Sequence, residues 1–442
     1  MLDADADVIV DCPYRLAGGA EPPISTAIPD RPCGDTVHAP PRAARRRQVA
    51  TPPCGSPHRT TRSISRPTPA LSPGERGSNR MPRTPPISRW RAARVTLAAA
   101  IALVSLGIFG APVQAQGQSK VTVMTRNLYL GGDLTPSIGA PTTQAFLAAN
   151  SALFSHVGLV DFPARAKLLA REITENKPDL VGLQEVALWR TGTFGDPGPA
   201  IDIRYDYLAL LMDELSRSGH AYDVAVVQAE ADLEAPAGAP HYLDVRLTMR
   251  DVILVRHGGR VKVTDSSSGN FVNNLTFTLA ATNGTVTSTR GWTAVDVVHG
   301  QRPFRFVNTH LEAFHPGIRV LQAHELLAGP LASAPGDVIL AGDLNTGPDL
   351  PVAANRLAYA ALVAGGMHDT WQILHPDQPG YTAGLGDDLN QPADNVEHRI
   401  DMVLFRGAVV PVSSLIFGAE RQTPDGRWAS DHLGYLAVLA LQ

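Results

Sequence analysis

The succession of short apolar runs along residues 121–440 is the feature that most restricts the fold. Runs rich in Val, Ile and Leu, such as residues 222–227, 251–255 and 260–264, follow one another with no helical pattern between them. A parallel α/β fold alternates strands with helices, whereas consecutive strands favour sheets packed face to face with helices outside. We therefore predict one α+β domain over residues 116–442. Its helices are predicted at residues 161–176, 203–216 and 317–327.

The first 115 residues differ in composition from the rest of the chain. Residues 1–80 are crowded with Pro, Arg, Ser and Gly and show no apolar period, so we predict that they are disordered or are an upstream extension that is not translated. Residues 81–115 fit a secretory signal peptide that begins at Met81 and ends in a small-residue cleavage site at Ala115. We expect cleavage and secretion, to an extracellular or periplasmic location. An uncleaved signal anchor that tethers the protein to a membrane is the alternative.

Charge and cysteine content narrow the classes of function. The whole chain carries −4, and residues 1–115 contain 15 Lys and Arg against 8 Asp and Glu, so the remainder carries −11 by difference. An acidic domain gains little from the counterion release that drives non-specific nucleic-acid binding. All three cysteines (Cys12, Cys33 and Cys54) precede the predicted cleavage site. The exported domain is therefore expected to hold any metal through oxygen and imidazole ligands rather than thiolates.

Polar residues border the predicted strands at their ends. Asn127, Glu185 and His310 each end an apolar run. Five further residues also border apolar runs: Asp343, Asn345, Asp401, Asp431 and His432. A single residue of this kind is more often a cap or a satisfied turn, but an ordered series of carboxylates, amides and imidazoles is typical of a site at a sheet edge.

Six short motifs contain these residues. They are Arg126-Asn127-Leu128, Gly182-Leu183-Gln184-Glu185-Val186, Asn308-Thr309-His310-Leu311, Gly342-Asp343-Leu344-Asn345, Arg399-Ile400-Asp401 and Ser430-Asp431-His432-Leu433. In this order they resemble the endonuclease/exonuclease/phosphatase superfamily, which includes DNase I-like nucleases and bacterial neutral sphingomyelinases. The resemblance implies a four-layer α/β/β/α sandwich of two mostly antiparallel sheets flanked by helices.

The resemblance also implies a metal-dependent hydrolase that acts on phosphate ester bonds, with Mg²⁺ or Mn²⁺ as cofactor. Glu185, Asn127 and Asp431 are the candidate metal ligands, because oxygen donors suit a hard cation. The candidate catalytic residues are His432, Asp401, Asp343, Asn345 and His310.

The expected roles follow from phosphoester chemistry and the resemblance together. His432 is the candidate general base, oriented by Asp401, while Asp343 aligns or deprotonates the attacking water. Which of Asp343 and His432 takes the proton stays open. Asn345 and His310 are expected to donate hydrogen bonds to phosphoryl oxygens.

Each candidate also has a purely structural explanation. Asn127 fits a turn residue, Asp343 an Asx-turn residue, Asp431 a turn cap and Asp401 a salt-bridge partner of Arg399. The histidines could be satisfied core residues. Two further charged residues could line the cleft, although surface ion pairing is the default expectation: Arg290 and Asp251.

The substrate is less specified than the chemistry. A phospholipid such as sphingomyelin, a nucleic acid or a small phosphoester would each fit, and acidic charge with export favours the lipid or the small phosphoester. A secreted DNase I-like endonuclease or exonuclease is the main alternative, and a catalytically silent binding module of the same fold is the next. Residues 128–134 and 189–200 are the predicted specificity elements. A monomer is expected, with no stable membrane span after signal cleavage.

Overall fold

The structure, a computed structural model, describes residues 119–334 and 336–442. The predictions for residues 1–80 and 81–115 lie outside these ranges. In chain order, the strands are β1 (Ser119–Asn127), β2 (Leu180–Gln184), β3 (Leu188–Thr193), β4 (Asp202–Asp206), β5 (Tyr222–Ala237), β6 (Leu243–Arg256), β7 (Val261–Asn270), β8 (Leu275–Thr278), β9 (Thr285–Ser288), β10 (Gly291–His299), β11 (Arg302–His310), β12 (Asp337–Asp343), β13 (His368–Asp369), β14 (Asp401–Arg406), β15 (Val409–Phe417) and β16 (Gly434–Leu441). The helices are α1 (Thr135–Ile138), α2 (Thr143–Leu159), α3 (Phe162–Asn176), α4 (Tyr207–Arg217), α5 (Pro316–Ala328), α6 (Leu357–Ala364) and α7 (Thr370–Leu374).

Two large sheets contain most of the strands. The first has the order β15-β16-β1-β2-β6-β3-β4, and β5 also pairs with β6. The second has the order β13-β14-β12-β11-β10-β7, while β8 and β9 form a separate hairpin. Among the described strand pairs, β1 with β2 and β11 with β12 are parallel, and the others are antiparallel. Each large sheet therefore contains one parallel pair near its middle.

The two sheets pack against each other through a buried apolar layer. Alternate residues of β1, Val121 and Val123, share this layer with Phe306 of β11 and Val403 of β14, and all four are fully buried. Burying one such side chain stabilises the fold by about 1.5–3 kcal/mol. On the outer faces, α3 and α4 cover the first sheet, and α5 and α6 cover the second. The predicted sandwich of two sheets flanked by helices is confirmed.

Two helix starts show how local chemistry sets the elements. Asp161 caps α3, since its Oδ1 accepts from the backbone N–H of Ala164 at 3.3 Å, and the helix ends at Asn176 as predicted. The prediction of a helix from residue 203 is wrong at its start. Residues Asp202–Asp206 form β4, in which Ile203 pairs with Arg190 of β3, and the Asp206 side chain caps a helix that begins afterwards.

Within the described residues, no single helix is both long and apolar enough to cross a membrane. The bent pair of α2 and α3, with 51° between the two helices, meets the length and composition requirement when its members are taken together.

Candidate active site

The two parallel strand pairs bring the predicted residues together. Asn127 at the end of β1 is in register with Gln184 at the end of β2, and Glu185 follows directly. His310 at the end of β11 is in register with Asp343 at the end of β12. Because parallel strands end at the same edge of a sheet, each pair delivers two polar side chains to one place. The edges meet where Asn127 Nδ2 donates to Asp343 Oδ2 at 3.1 Å, so both sheets contribute to one site.

His432 and Asp401 form a buried pair beside this junction. His432 Nδ1 lies 2.8 Å from Asp401 Oδ2, and His432 Nε2 lies 3.8 Å from Asp343 Oδ2. Burial alone would lower the pKa of His432, but the carboxylates of Asp401, Asp431 and Asp343 raise it well above its usual value. Asp401 therefore fixes the imidazole with a proton on Nδ1 and with Nε2 toward Asp343.

Asp343 is the carboxylate on which the two sheets converge. Its Oδ1 accepts from the backbone N–H of Asn345 at 3.0 Å, and its Oδ2 accepts from Asn127. Burial raises the pKa of Asp343 to about 6, with His432 opposing and Asp401 adding to the shift. A carboxyl group with this pKa can exchange a proton near neutral pH, which suits an acceptor for the proton of water.

The side-chain amide of Asn127 bridges the carboxylates of Asp343 and Glu185. Its Nδ2 also donates to Glu185 Oε1 at 3.2 Å, while its Oδ1 accepts from the backbone N–H of Tyr129 at 2.8 Å. Glu185 Oε2 accepts from the backbone N–H of Leu130 at 2.6 Å, and Glu185 has a φ of 55°, a strained value for a residue other than glycine. The role of Asn127 as a metal ligand stays a prediction, because both ends of its amide are engaged by the protein.

Carboxylates crowd a cavity of about 200 Å³ above this network. Glu185 and Asp431 are partly exposed and face it, and Asp133 and Asp387 line it as well. Burial and the nearby Asp431 raise the pKa of Glu185, as expected for carboxylates that repel one another. A cation relieves that repulsion, and oxygen donors suit Mg²⁺ or Mn²⁺. The donor set therefore fits a divalent metal.

Asn345 lines the cavity, but its side-chain amide nitrogen donates a hydrogen bond to the backbone. Its Nδ2 donates to the carbonyl of Leu311 at 3.0 Å, and its φ of 47° is again strained. This arrangement shapes the loop after β12 and places the Asn345 backbone N–H on Asp343. Donation from its side chain to a phosphoryl oxygen stays a prediction.

Arg290 lies behind His310, together with Glu230, which no sequence signal had indicated. Arg290 Nη1 lies 2.8 Å from His310 Nδ1 and 3.8 Å from Glu230 Oε2. Burial, then Arg290 and His432, lower the pKa of His310 well below its usual value. The imidazole is therefore neutral: Nδ1 accepts from Arg290, and Nε2 bears the proton 3.5 Å from Asp343 Oδ2.

The expectation of surface ion pairing for Arg290 and Asp251 is wrong. Arg290 is 7% exposed and Asp251 is 0% exposed, and both Asp251 oxygens have no hydrogen-bond partner among the described residues. Burial raises the pKa of Glu230 to about 7, and burial together with Glu230 raises the pKa of Asp251 well above its usual value. Arg290 supplies a positive charge beside Glu230, and the raised pKa values favour protonated forms of the two carboxyl groups.

Arg165 ties together the two loops that carry the site. Its Nη1 donates to the carbonyls of Leu128 at 2.7 Å and Ala429 at 2.8 Å, and its Nη2 donates to Tyr129 at 3.2 Å. The first loop holds Glu185 through the backbone of residue 130, and the second leads into Asp431. Its sequence position within an ordinary amphipathic helix gave no signal of this role.

Most of residues 128–134, the first predicted specificity segment, line the site cavity, whereas residues 189–200 do not line it. Leu128 is fully buried in the core, while Tyr129 and Leu130 line the cavity. The expectation that residues 189–200 form a loop flanking the site is wrong, because they form β3 and the turn that follows it, paired with β6 and β4. Trp189 of this segment is 2% exposed and donates its indole N–H to the carbonyl of Leu130 at 2.8 Å.

Comparison with known families agrees with this geometry. Residues 154–432 match the sequence profile of the Endonuclease/Exonuclease/phosphatase family, which is more than half of the chain. The chain belongs to the endonuclease/exonuclease/phosphatase family. Enzymes of this family hydrolyse phosphoesters and commonly use divalent metals. Membership supports a phosphoesterase activity for the chain.

Several solved structures are similar to the chain at low sequence identity. TDP2 of D. rerio complexed with single strand DNA product is 18% identical, with 73% of this chain and 99% of that chain covered and a TM-score of 0.44. An endonuclease/exonuclease/phosphatase family protein from Bacteroides thetaiotaomicron is 16% identical, with 74% and 99% covered and a TM-score of 0.47. A mannosyl-6-phosphatase of the same organism is 16% identical, with 73% and 100% covered and a TM-score of 0.46. A search of curated proteins found no match.

Proposed function

We propose that the protein is a secreted, divalent-metal-dependent phosphoesterase that cleaves phosphodiester or phosphomonoester bonds by attack of an activated water. One observation carries this proposal. The buried His432–Asp401 pair directs the imidazole Nε2 to within 3.8 Å of Asp343, at the wall of a cavity lined by further carboxylates. This places a proton-transfer unit beside a cation site, which is the combination that phosphoester hydrolysis needs.

As the water oxygen bonds to phosphorus, the bond from phosphorus to the leaving oxygen breaks. The proton of the water passes to the pair formed by Asp343 and His432, and this pair returns a proton to the leaving oxygen. Asp343 Oδ2 is held by Asn127, and the His432 ring is held by Asp401, so neither group reorients when a proton arrives. His310, neutral and with its Nε2 proton toward the same carboxylate, is placed to donate to a phosphoryl oxygen.

Glu185 and Asp431 would hold the metal, with Asp343 at the edge of the same cavity. A divalent cation held there would supply positive charge beside the phosphoryl oxygens and the attacking water. The strained backbone of Glu185 and the hydrogen bonds from Leu130 and Asn127 fix this carboxylate before the ion binds.

The charge of the exported part favours a substrate with few phosphates. Residues 116–442 carry a net charge of −11, and Asp133 and Asp387 line the cavity. Both features disfavour the binding of a polyanion. A phospholipid such as sphingomyelin or a small phosphoester therefore remains preferred, with a secreted endonuclease or exonuclease as the alternative and a silent binding module as the next.

The test is a hydrolysis panel of DNA, RNA, sphingomyelin, other phospholipids and phosphomonoesters, run with Mg²⁺ and with a chelator. Glu185→Gln and His432→Gln should each abolish most of the activity, and the exposed residues Glu397 and His324 supply the matched controls Glu397→Gln and His324→Gln. Wild-type protein that hydrolyses no substrate, or both site variants retaining full activity, would overturn the proposal.

Secretion has its own test. N-terminal sequencing of protein recovered from the medium should give a start near Gln116. A membrane-bound product that retains residues 81–115 would support the anchor instead.

A further inference from the structure

A second, larger cavity adjoins the candidate active site. The site cavity is polar where Glu185 and His432 face it and apolar at its other end. The second cavity has a volume of about 430 Å³, which is within the usual range for a small-molecule site. Four side chains line both cavities: Leu134, Ile138, Leu233 and Val286. The second cavity therefore begins where the apolar end of the active site stops.

The walls of the second cavity are mainly apolar. Besides the four shared side chains, it is lined by Phe146, Leu153, Trp189, Val245, Leu247 and Leu279. The shared side chains are only partly buried in the folded protein. Covering such surface with an apolar ligand is favourable, and the four positions are shared by the site cavity and the second cavity.

Aromatic side chains extend the apolar surface at the rim. Phe277 of β8 and Phe314, just before α5, both line the site cavity, with their ring centroids 5.7 Å apart in an edge-to-face arrangement. Phe314 is 46% exposed. An apolar group that leaves the phosphoryl site thus meets further apolar surface at the entrance.

The charged residues that line the two cavities favour a substrate with an aliphatic substituent over a nucleic-acid strand. Arg290 is the only Lys or Arg among the described residues that line the two cavities, and it is already engaged with His310. Asp232 and Glu234 line the second cavity. Arg190 and Arg246, the arginines nearest these carboxylates, are already paired with Asp232. The neighbouring phosphates of a nucleic acid would therefore find no unpaired Lys or Arg among the described residues that line the two cavities.

We propose that the second cavity is a substrate subsite that takes the aliphatic chain of a phosphoester whose phosphoryl group lies beside Asp343 and His432. The inference rests on the proposed phosphoesterase function and specifies its substrate class. The chain passes along the four shared side chains, and Trp189 lies at the wall of the subsite that receives it.

A series of p-nitrophenyl alkyl phosphates tests the subsite, because the leaving group stays constant while the alkyl group grows from methyl to butyl to octyl. With Mg²⁺ and monomeric substrate, kcat/KM should rise by about two- to fourfold for each methylene that enters the cavity. Rates that do not depend on chain length would overturn the inference while leaving the phosphoesterase intact. No release of p-nitrophenol from any member, the methyl ester included, would instead count against the proposed function.

Variants at the shared wall localise the effect. Leu233→Asn should flatten the dependence on chain length, whereas Leu415→Asn, a matched change at a Leu that is 49% exposed on β15, should keep the wild-type dependence. If Leu233→Asn fails to fold, Val286→Thr, which keeps the side-chain shape, serves the same purpose. Equal slopes in wild type and in the folded wall variant would place the chain elsewhere and overturn the inference.

Binding without turnover gives an independent measurement. Octyl phosphonate should change the fluorescence of the protein through Trp189, and Trp189→Phe should remove that change, whereas methyl phosphonate should have little effect. An octyl phosphonate response that persists in Trp189→Phe would contradict the assignment of this cavity, even if the chain-length effect on hydrolysis were present.

Discussion

Two histidines of the candidate site lie in opposite electrostatic surroundings. His432 contacts the carboxylate of Asp401, and its pKa is raised well above the usual value despite its burial. His310 is also buried, but it contacts the guanidinium of Arg290, and its pKa is lowered well below the usual value. Both face Asp343, at 3.8 Å and 3.5 Å. Burial lowers the pKa of both rings, so the charged partner on the far nitrogen accounts for the difference between them.

The two imidazole rings are therefore expected to have different roles in catalysis. A ring paired with a carboxylate can carry a positive charge and exchange a proton, whereas a ring held neutral can only donate a fixed hydrogen bond. The first kind of residue should be far less tolerant of substitution than the second.

Removal of the carboxylate partner should have the largest effect. We expect Asp401→Asn to lower kcat by about 10³-fold, because His432 loses both its charge stabilisation and its fixed tautomer. Steady-state kinetics with the preferred substrate measure this, and Asp394→Asn, at an exposed aspartate, is the control. A loss of less than about tenfold would show that the pair has no part in proton transfer.

Substitution at the neutral ring should cost less and should be partly reversible. His310→Ala is expected to lower kcat by about 10²-fold, as for loss of one preorganised donor, and His310→Gln should recover part of it because an amide also donates. His432→Gln should recover nothing relative to His432→Ala. Identical behaviour of the two Gln variants would remove the distinction between the rings.

NMR titration of the metal-free protein measures the difference directly. The His432 ring should titrate above the usual range of histidine and the His310 ring below it. Arg290→Met should raise the pKa of His310, because the guanidinium no longer opposes protonation. A His310 pKa that is unchanged in this variant would mean that burial alone keeps the ring neutral.

The carboxyl groups behind Arg290 should give the smallest effect, on stability rather than on rate. The pKa of Glu230 is about 7 in the folded protein against a usual value of 4.5. Between these values the folded state holds a proton that the unfolded state has lost, so stability should fall as pH rises through this window. Glu230→Gln should remove that loss, which amounts to about 1–3 kcal/mol of unfolding free energy at pH 8. Thermal unfolding at pH 5 and pH 8 measures it, and parallel pH dependence in both proteins would contradict it.

Much of the fold could be predicted from the sequence because local chemistry determined it. The apolar alternation of β1 and the Asp161 cap of α3 are local signals, and both elements lie where they were predicted. The helix α2 was missed, since its buried residues Phe146, Phe154 and Val157 are mixed with small residues and leave no clear apolar stripe. The strand β4 was taken for helix because its pairing with β3 is not a local property.

The residues of the candidate site also divide into those that a local sequence signal indicates and those that only tertiary packing brings together. Asn127, Glu185, His310 and Asp343 were predictable since each ends a strand, and parallel pairing brings such ends together. Glu230 lies inside β5, a long strand whose sequence has the polar character of a surface strand. Its contact with Gly291 joins positions that are 61 residues apart. No periodic pattern encodes a contact of that kind, so the environment of His310 emerged only from the packing of β5 against β10.

The central position of β1 has a consequence for the synthesis of the protein. β1 pairs with β16, and the turn that carries Asp431 and His432 leads directly into β16. An unfinished chain therefore has an unpaired edge on β1 and no second half of its site, however well the intervening strands have formed. Catalytic competence should appear only after the last strand has left the ribosome and has paired with one of the first.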